Sequence, residues 1–348
     1  MTSHPEFDIK TSGLHVAATY AAHIKGKTSP STSHLPSPDP PPQQLSSHHQ
    51  WSALPAPPSP PPPPLLLLAS RPSNLSTVVS DLKSAHPSLD VRPITLDLSS
   101  QASIRAAAAE VASITPKLDI LVNNAGLSVL TRFSTAEGIE GQFGTNHVGP
   151  FLLTNLLLPL LETAAREGGR RKGETRIVNL ASGAHTISPI RFSDYNLEKG
   201  ADVPEEEQWR KGLPEVYLQP ADGYLGIVAY GQSKTANILF TLSLQREVPK
   251  KGIAAYCLHP GGVRTQLGRN QDDEMNAAIE KTASYWKDID QGCSTTMVAA
   301  LDPALDQQTG LYLDNCQFAK AAPHATDPAI ADRLWSLSEE LVNEKFTL

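Results

Sequence analysis

From Leu65 onward, short apolar runs alternate with longer stretches of helical periodicity. That alternation restricts the chain to an α/β fold, a doubly wound parallel sheet with helices on both faces. LLLLAS (Leu65–Ser70) and VRPITLDL (Val91–Leu98) read as strands on either side of a helical Leu75–Ala85. Ser99–Val111 is alanine-rich and helical, and Ser99 or Ser100 can cap it by accepting a backbone N–H. KLDILVNNAG (Lys117–Gly126) reads as an apolar strand closing on a turn, and RIVNLAS (Arg176–Ser182) as a further buried strand. Between them Thr135–Arg166 reads as a long helix, interrupted near Gly149–Pro150. Helix Ala229–Arg246, strand Ile253–Leu258, helical segments through Ala300, strand Gly310–Asp314 and helix Ala329–Asn343 complete the series.

The chain before Leu65 behaves differently. Of 30 prolines, 14 fall between Pro30 and Pro64, in a stretch ending PAPPSPPPPP. Proline fixes φ and removes a backbone donor, so this stretch is expected to form neither a central strand nor a helix interior. It reads as a polyproline-type linker or disordered insert; a docking ligand for an SH3-like or WW-like groove is the functional alternative. The expected organisation is an N-terminal helix and lead-in over 1–29, the proline-rich segment over 30–64, and one α/β domain over 65–348. The opening MTSHPEFDIK lacks an apolar h-region, so no secretory signal is expected. The apolar run Leu65–Ala69 is too short to span a bilayer, so no membrane span is expected either. A net charge of −7 and pI near 5.9 argue against a nucleic-acid partner, which needs a basic face. Cys257, Cys293 and Cys316 lie too far apart for a disulfide framework or metal cluster and are expected in the core of a reduced, cytoplasmic protein.

The chemistry concentrates after the strands. In YGQSK, Tyr230 and Lys234 sit four residues apart in an amphipathic helical stretch, so both side chains share a face about 5–6 Å apart at Cβ. A free phenol titrates near pH 10, and a neighbouring ammonium favours its ionised form, so the pair can act as general acid or base. A surface Tyr–Lys pair would carry the same spacing. NNAG (Asn123–Gly126) ends a strand, where glycine lets a ligand approach the backbone. RIVNLAS sets Ser182 at a strand's carboxyl end, where open α/β sheets bind ligands. HPGGVRT (His259–Thr265) supplies a loop at the same edge, and Asn146 lies in the helix between NNAG and Ser182.

In this order the residues resemble the short-chain dehydrogenase/reductase family, close to its retinol-dehydrogenase-like and fungal members, and the resemblance runs from about Leu65 to the C-terminus. It implies a Rossmann-like single domain and an NADP-dependent oxidoreductase, NAD being the less favoured cofactor. It further implies that Tyr230 exchanges a proton with the substrate oxygen, that Lys234 lowers the tyrosine pKa and bonds the nicotinamide ribose, that Ser182 bonds the substrate oxygen, and that Asn146 holds a water in a proton relay. Ser70 and Arg71 would meet the adenine-ribose phosphate, with a solvated loop arginine the other reading of Arg71. Asp97 and Leu98 would contact adenine. Asn123, Asn124, Ala125 and Gly126 would wall the ribose, and Val263 and Thr265 would face the nicotinamide. Phe192–Tyr224 becomes a substrate-side insertion, whose run Glu205–Glu207 reads as a solvated face. The implied substrate is a small apolar carbonyl or alcohol, such as a polyketide, terpenoid or retinoid-like alcohol. Family members are often dimers or tetramers, which leaves a homo-oligomer open.

One part of the pattern is missing. The family opens with a central strand and a TGxxxGxG turn that brings pyrophosphate onto a helix N-terminus, yet no glycine occurs between Lys27 and Ala125. Ser12–Lys27 resembles the lead-in to that unit, and Leu65 resumes the pattern at the second strand. The first strand is therefore expected to be lost, leaving the flanking strands with unpaired inner edges. A frame slip that reads alanine codons as proline codons would account for the stretch. An insert that abolishes activity and an insert with a binding role are the other accounts. The alternative function is a non-catalytic relative with impaired dinucleotide binding and a partner-binding proline-rich segment.

Overall fold

The strand expected to be lost is present, and it lies near the middle of the sheet. The computed structural model describes residues 1–24, 27–32, 65–220, 222–265, 267, 272–307 and 310–347. Within these, β1 (Thr28–Thr32) lies between β2 (Leu65–Ser70) and β4 (Ile120–Asn123), parallel to both. With β3 (Asp90–Thr95), β5 (Thr175–Leu180), β6 (Ile253–His259), β9 (Tyr312–Asp314) and β10 (Gln317–Phe318) it builds an eight-stranded sheet of order β10-β9-β6-β5-β4-β1-β2-β3. The run 3-2-1-4-5-6 is the order of a dinucleotide-binding fold. A small pair, β7 (Gly262–Val263) and β8 (Trp286–Lys287), stands apart. The proline-rich stretch beyond Thr32, with His48 and His49, lies outside the described residues.

The physical reason for the correction is the way β1 is held. Its sequence, TSPST, has no apolar periodicity and contains a proline. Five register pairs join it to β2 but only one, Ser31 with Val122, joins it to β4. Thr28 both donates to the Asp119 carboxylate (2.5 Å) and accepts from the Asp119 amide (2.9 Å), so its peptide groups face β4. Two residues on, Pro30 faces the same way, and its missing N–H falls on the side where pairing is reduced. Asp119, fully buried, also pairs with Arg170. The strand is thus clamped by a carboxylate 91 residues away.

The apolar strands divide their side chains between two faces. Leu67 and Ala69 of β2 face a core with Leu121, Ile177 and Ala255. Leu66 and Leu68 face the opposite core with Val122, Val178 and Tyr256. On the side of Leu66 and Leu68, α1 (Gly13–Thr19), α2 (Ala21–Ile24), α3 (Pro72–Ala85) and a helix at Ile289–Leu301 share one face. The other face is covered by α4 (Gln101–Ile114), α5 (Gly141–Ala165), α6 (Gly226–Glu247) and the final helix, Pro328–Val342. In chain order the remaining helices are α7 (Asp273–Glu280), α8 (Ile289–Leu301) and α9 (Pro328–Val342). Ser100 caps α4 by accepting from the Ser103 amide, as the sequence suggested.

Two helices differ from expectation. α5 begins at Gly141 rather than near Thr135, because Thr135 and Ile139 close a turn on each other that Gly138 enters with positive φ. Its irregularity is a π turn over Gly144–Val148 that runs into Gly149–Pro150, where the proline has no N–H to return to the preceding turn. At 25 residues α5 is the one described helix long and apolar enough to cross a membrane, but 67% of its apolar window is buried inside the protein. α6 is not amphipathic: every residue from Gly226 to Thr241 is buried, since it lies between the sheet, the loop after β5 and α9. The three cysteines are buried and free.

Candidate active site

β1 to β6 and β9 run parallel, so their carboxyl ends share one edge, where ligands of open α/β sheets bind. Ser182 leaves β5 in extended conformation and caps a single 3-10 turn, Gly183–Thr186, its hydroxyl accepting from the Ala184 amide (3.2 Å). Across from it α6 carries Tyr230 and Lys234 one turn apart, both buried. The helix comes this close because residue 231 is glycine: a Cβ there would stand 2.9 Å from the Ala184 carbonyl oxygen and 3.0 Å from Ile187 Cβ. The Ser182 hydroxyl lies close enough to the Tyr230 phenol to pull its pKa down, and Lys234 Nζ lies 5.5 Å from the centre of the Tyr230 ring.

Burial governs the electrostatics. It pushes the Tyr230 phenol up to about 12, against a smaller opposing pull from the Ser182 hydroxyl. It draws the Lys234 ammonium down to about 8. Desolvation is the larger influence on the phenol, and the opposing pull comes from the Ser182 hydroxyl. Lys234 Nζ donates to the Leu180 carbonyl (3.2 Å), beside Asn237 Nδ2 (3.0 Å). At neutral pH the phenol keeps its proton, which makes it an acid in waiting.

Asn146 lies on the π turn, a distortion common at functional sites. Its side chain accepts from the Leu127 amide and donates to the Leu127 carbonyl and to Ser233 Oγ, each at 2.9 Å. Both of its N–H donors are thus spent on locking the loop after β4 to α6. Gly126 closes the group: a Cβ there would stand 3.0 Å from Lys234 Nζ and 3.4 Å from Asn146 Oδ1. Ser182, Tyr230, Lys234, Asn146 and Gly126 are brought together by four segments of chain.

The remaining candidates spread along the same edge. Ser70 ends β2 with its hydroxyl buried and unpartnered among the described residues. Arg71 follows it at the N-cap of α3, and the Ser70 carbonyl accepts from the Leu96 amide. Asp97 is fixed by accepting from the Ser99 amide and hydroxyl, and Leu98 lies under the Gly149 turn of α5. Asn124 and Ala125 lead from β4 to Gly126. Asn123 is turned inward: its Nδ2 donates to Thr154 Oγ1 (2.9 Å) and Asn179 Oδ1 (2.8 Å), so its side chain serves the core. Val263 pairs with Lys287 on the loop after β6, and Thr265 is exposed, its hydroxyl accepting from the Leu267 amide.

The segment from Phe192 to Tyr224 packs beside the start of α6. Leu197, Leu213, Tyr217 and Tyr224 join Ile227 and Met275 in an apolar cluster. Tyr224 donates to the buried Glu140 carboxylate (2.6 Å), which seals the end of the segment onto α5. Glu205 and Glu206 are exposed as expected, but Glu207 is not. Its carboxylate accepts from the Ser193 amide (2.9 Å) and hydroxyl (2.6 Å), and those bonds repay its burial. Sequence reasoning also passed over His185 and Glu140. A histidine three residues after Ser182 in a tight turn was the available signal for the first; for the second there was none.

A strand order of 3-2-1-4-5-6 with a buried phenol and ammonium and a half-buried hydroxyl at its carboxyl edge defines a Rossmann-type oxidoreductase. The chain belongs to the short-chain dehydrogenase family, whose family model matches residues 64–203 and 220–276. The match begins at the threshold of β2. Over 261 residues the chain is 37% identical to the short-chain dehydrogenase TIC 32 A, chloroplastic, of Brassica napus, covering 74% of each. It is 36% identical over 248 residues to retinol dehydrogenase 12 of Mus musculus, covering 71% of this chain and 68% of that one. The fold is shared with the Pseudomonas aeruginosa RhlG/NADP active-site complex, at TM-score 0.54 and 19% identity, covering 84% and 97%.

Proposed function

We propose that the chain interconverts a carbonyl and an alcohol with NADP as cofactor. The observation that carries this reading is the convergence of a half-buried Ser182 hydroxyl, near enough to act on the pKa of the buried Tyr230 phenol, with Lys234 Nζ 5.5 Å from the phenol ring. When bound, the cofactor supplies a hydride to the carbonyl carbon, or removes one from the alcohol. Tyr230 gives its proton to the substrate oxygen in reduction and takes it back in oxidation. A phenol held at about 12 keeps its proton at neutrality and so has one to give in the reducing direction. The Ser182 hydroxyl donates to the same oxygen, stabilising charge as it develops. Lys234 places a cation beside the phenol, and Asn146 holds the loop that ends in Gly126.

The residues fit such a cofactor. Ser70 Oγ is a buried polar atom without a partner at the exit of β2, and the absent side chain at Gly126 leaves open backbone beside Lys234. Ser70 and Arg71 would hold the ribose 2′-phosphate, Asp97 and Leu98 the adenine. Asn124 to Gly126, Lys234, Val263 and Thr265 would line the path to the nicotinamide, with the backbone rather than the side chain of Asn123 taking part. The RhlG complex, with NADP in its active site, supports the choice of NADP, as does the guanidinium of Arg71. Apolar residues beside α6 favour an apolar substrate, and retinol dehydrogenase 12 is among the relatives. Three free, buried thiols favour a reducing, cytoplasmic setting.

Tyr230→Phe tests the reading. Turnover is expected to vanish while NADPH affinity stays within about twofold, because the phenol hydroxyl acts on the substrate oxygen; a fully active variant refutes it. The absence of any glycine from Lys27 to Ala125 favours a second reading, a non-catalytic relative. A folded protein that leaves NADPH fluorescence unchanged at millimolar protein would establish that one instead.

A further inference from the structure

The 3-10 turn after Ser182 contains a histidine with no part in the proton transfer just described. His185 is 3% exposed. Its Nε2 accepts from the Ala322 amide (3.1 Å), a bond only an unprotonated nitrogen can make. Nδ1 therefore carries the proton and donates to the Ser182 carbonyl (2.7 Å). The tautomer is set by two backbone groups of opposite kind. The ring meets the edge of Tyr312 from β9 (centroids 5.3 Å apart). The His185 carbonyl in turn accepts from Thr235 Oγ1, next to Lys234 on α6, and from His324 Nε2, each at 2.9 Å. One residue thus joins the Ser182 turn, the helix of Tyr230 and Lys234, and the segment 319–325, which Ala319 ties to β9 through the Tyr312 carbonyl.

We propose that His185 is the positioning residue of Ser182: its Nδ1–H holds the Ser182 carbonyl, and the C-terminal segment holds the ring. Ser182 has extended backbone, with φ −161° and ψ 158°, and its hydroxyl must leave the strand end toward Tyr230. The Ala184 amide holds Oγ, and the carbonyl's shortest bond is from the His185 ring, beside a longer one from the His185 amide (3.1 Å). Without the ring the peptide plane after Ser182 loses its shortest hold and keeps only the longer bonds from the His185 amide (3.1 Å) and to His259 Nδ1 (3.2 Å), so the aim of the hydroxyl toward the phenol loosens. The C-terminal segment, remote in sequence, becomes part of the site through Ala322.

The inference rests on the proposed role of Ser182, and a pair of variants separates it from that role. In His185→Asn the side-chain amide overlays Nδ1 and keeps the donor to Ser182 while losing Ala322. In His185→Gln the amide reaches the place of Nε2 and keeps Ala322 while losing Ser182. Hydrogen exchange at the Ala184 amide, which Ser182 Oγ holds, reports the hydroxyl's position without turnover. It is expected to accelerate about tenfold in His185→Gln, the scale of one lost hydrogen bond, and to stay near wild type in His185→Asn. In carbonyl reduction kcat is expected to fall about tenfold in the glutamine variant with both KM values within about twofold, and the asparagine variant to restore it. Equal exchange in the two variants, or faster exchange in the asparagine variant, overturns the proposal. So does a 15N spectrum of the wild-type protein showing His185 with its proton on Nε2, which needs no variant to fold. If the wild-type protein is inactive, the function proposed above fails alone, and exchange and tautomer still decide the role of His185.

Discussion

Replacing Lys234 by methionine should stabilise the protein near neutrality while ending its turnover, and the pH dependence of that gain can be worked out. Lys234 is 3% exposed and burial draws its ammonium from 10.5 down to about 8. In the unfolded chain it titrates near its ordinary value. Between those two pH values the unfolded state binds more protons than the folded one, so stability rises with pH through this window. Below pH 8 the folded chain bears the full penalty of a buried ammonium, about 3 kcal/mol at pH 7 on this linkage. By pH 9.5 about 2 kcal/mol of it is relieved. Methionine keeps the stem's packing and has no charge, at the fixed cost of the hydrogen bond to Leu180, about 1 kcal/mol. Urea titrations of the two proteins from pH 7 to 9.5 isolate the lysine, because every other ionising group cancels in the difference. Cys257, whose thiol burial raises to about 12, stays neutral throughout, and the Tyr230 phenol, also near 12, keeps its proton. The advantage of Lys234→Met over wild type should shrink by about 2 kcal/mol across that range. Parallel stability curves would refute the claim that burial controls this lysine.

Asp119→Ala should destabilise the fold by about 1–3 kcal/mol, because it strands a buried Thr28 amide and takes from Arg170 one of its two carboxylate partners, leaving Glu167. A urea midpoint within error of wild type would mean that β1 is not held by this clamp. Arg71→Ala should raise KM for NADPH about tenfold and leave KM for NADH nearly unchanged, since only the former brings a phosphate to the exit of β2. A proportional rise for both cofactors would take Arg71 out of the phosphate site.

Most of the strands were legible because each is an apolar run that needs no distant partner to be recognised. LLLLAS gave β2 to the residue, and Ser100 announced the start of α4. β1 was not legible. TSPST is polar, contains proline and has no periodicity, so local preference argues against a strand there. It is one because β2 offers five pairs, Asp119 clamps its first residue, and the proline's missing donor falls where pairing is reduced to one. Tertiary context overrode propensity. Glu207 was misread for the same reason: in sequence it is the third of three carboxylates, and only the fold brings Ser193 to it.

The candidate site divides in the same way. Tyr230 and Lys234 were readable from an i, i+4 spacing, and Ser182 from its place after a strand, because both signals are local. The state of those groups was not readable. A phenol at about 12, an ammonium near 8 and a histidine fixed in one tautomer all depend on which atoms surround them. Those atoms come from α6, the loop after β5 and a segment near residue 322. The sequence alone determined which reactive groups the chain owns and on which strands and helices they ride, since periodicity and spacing are properties of neighbours along the chain. The tertiary structure decided where the first strand goes, how each group is charged and what holds Ser182 in place, since pairing, burial and hydrogen bonding are set by residues far apart in sequence.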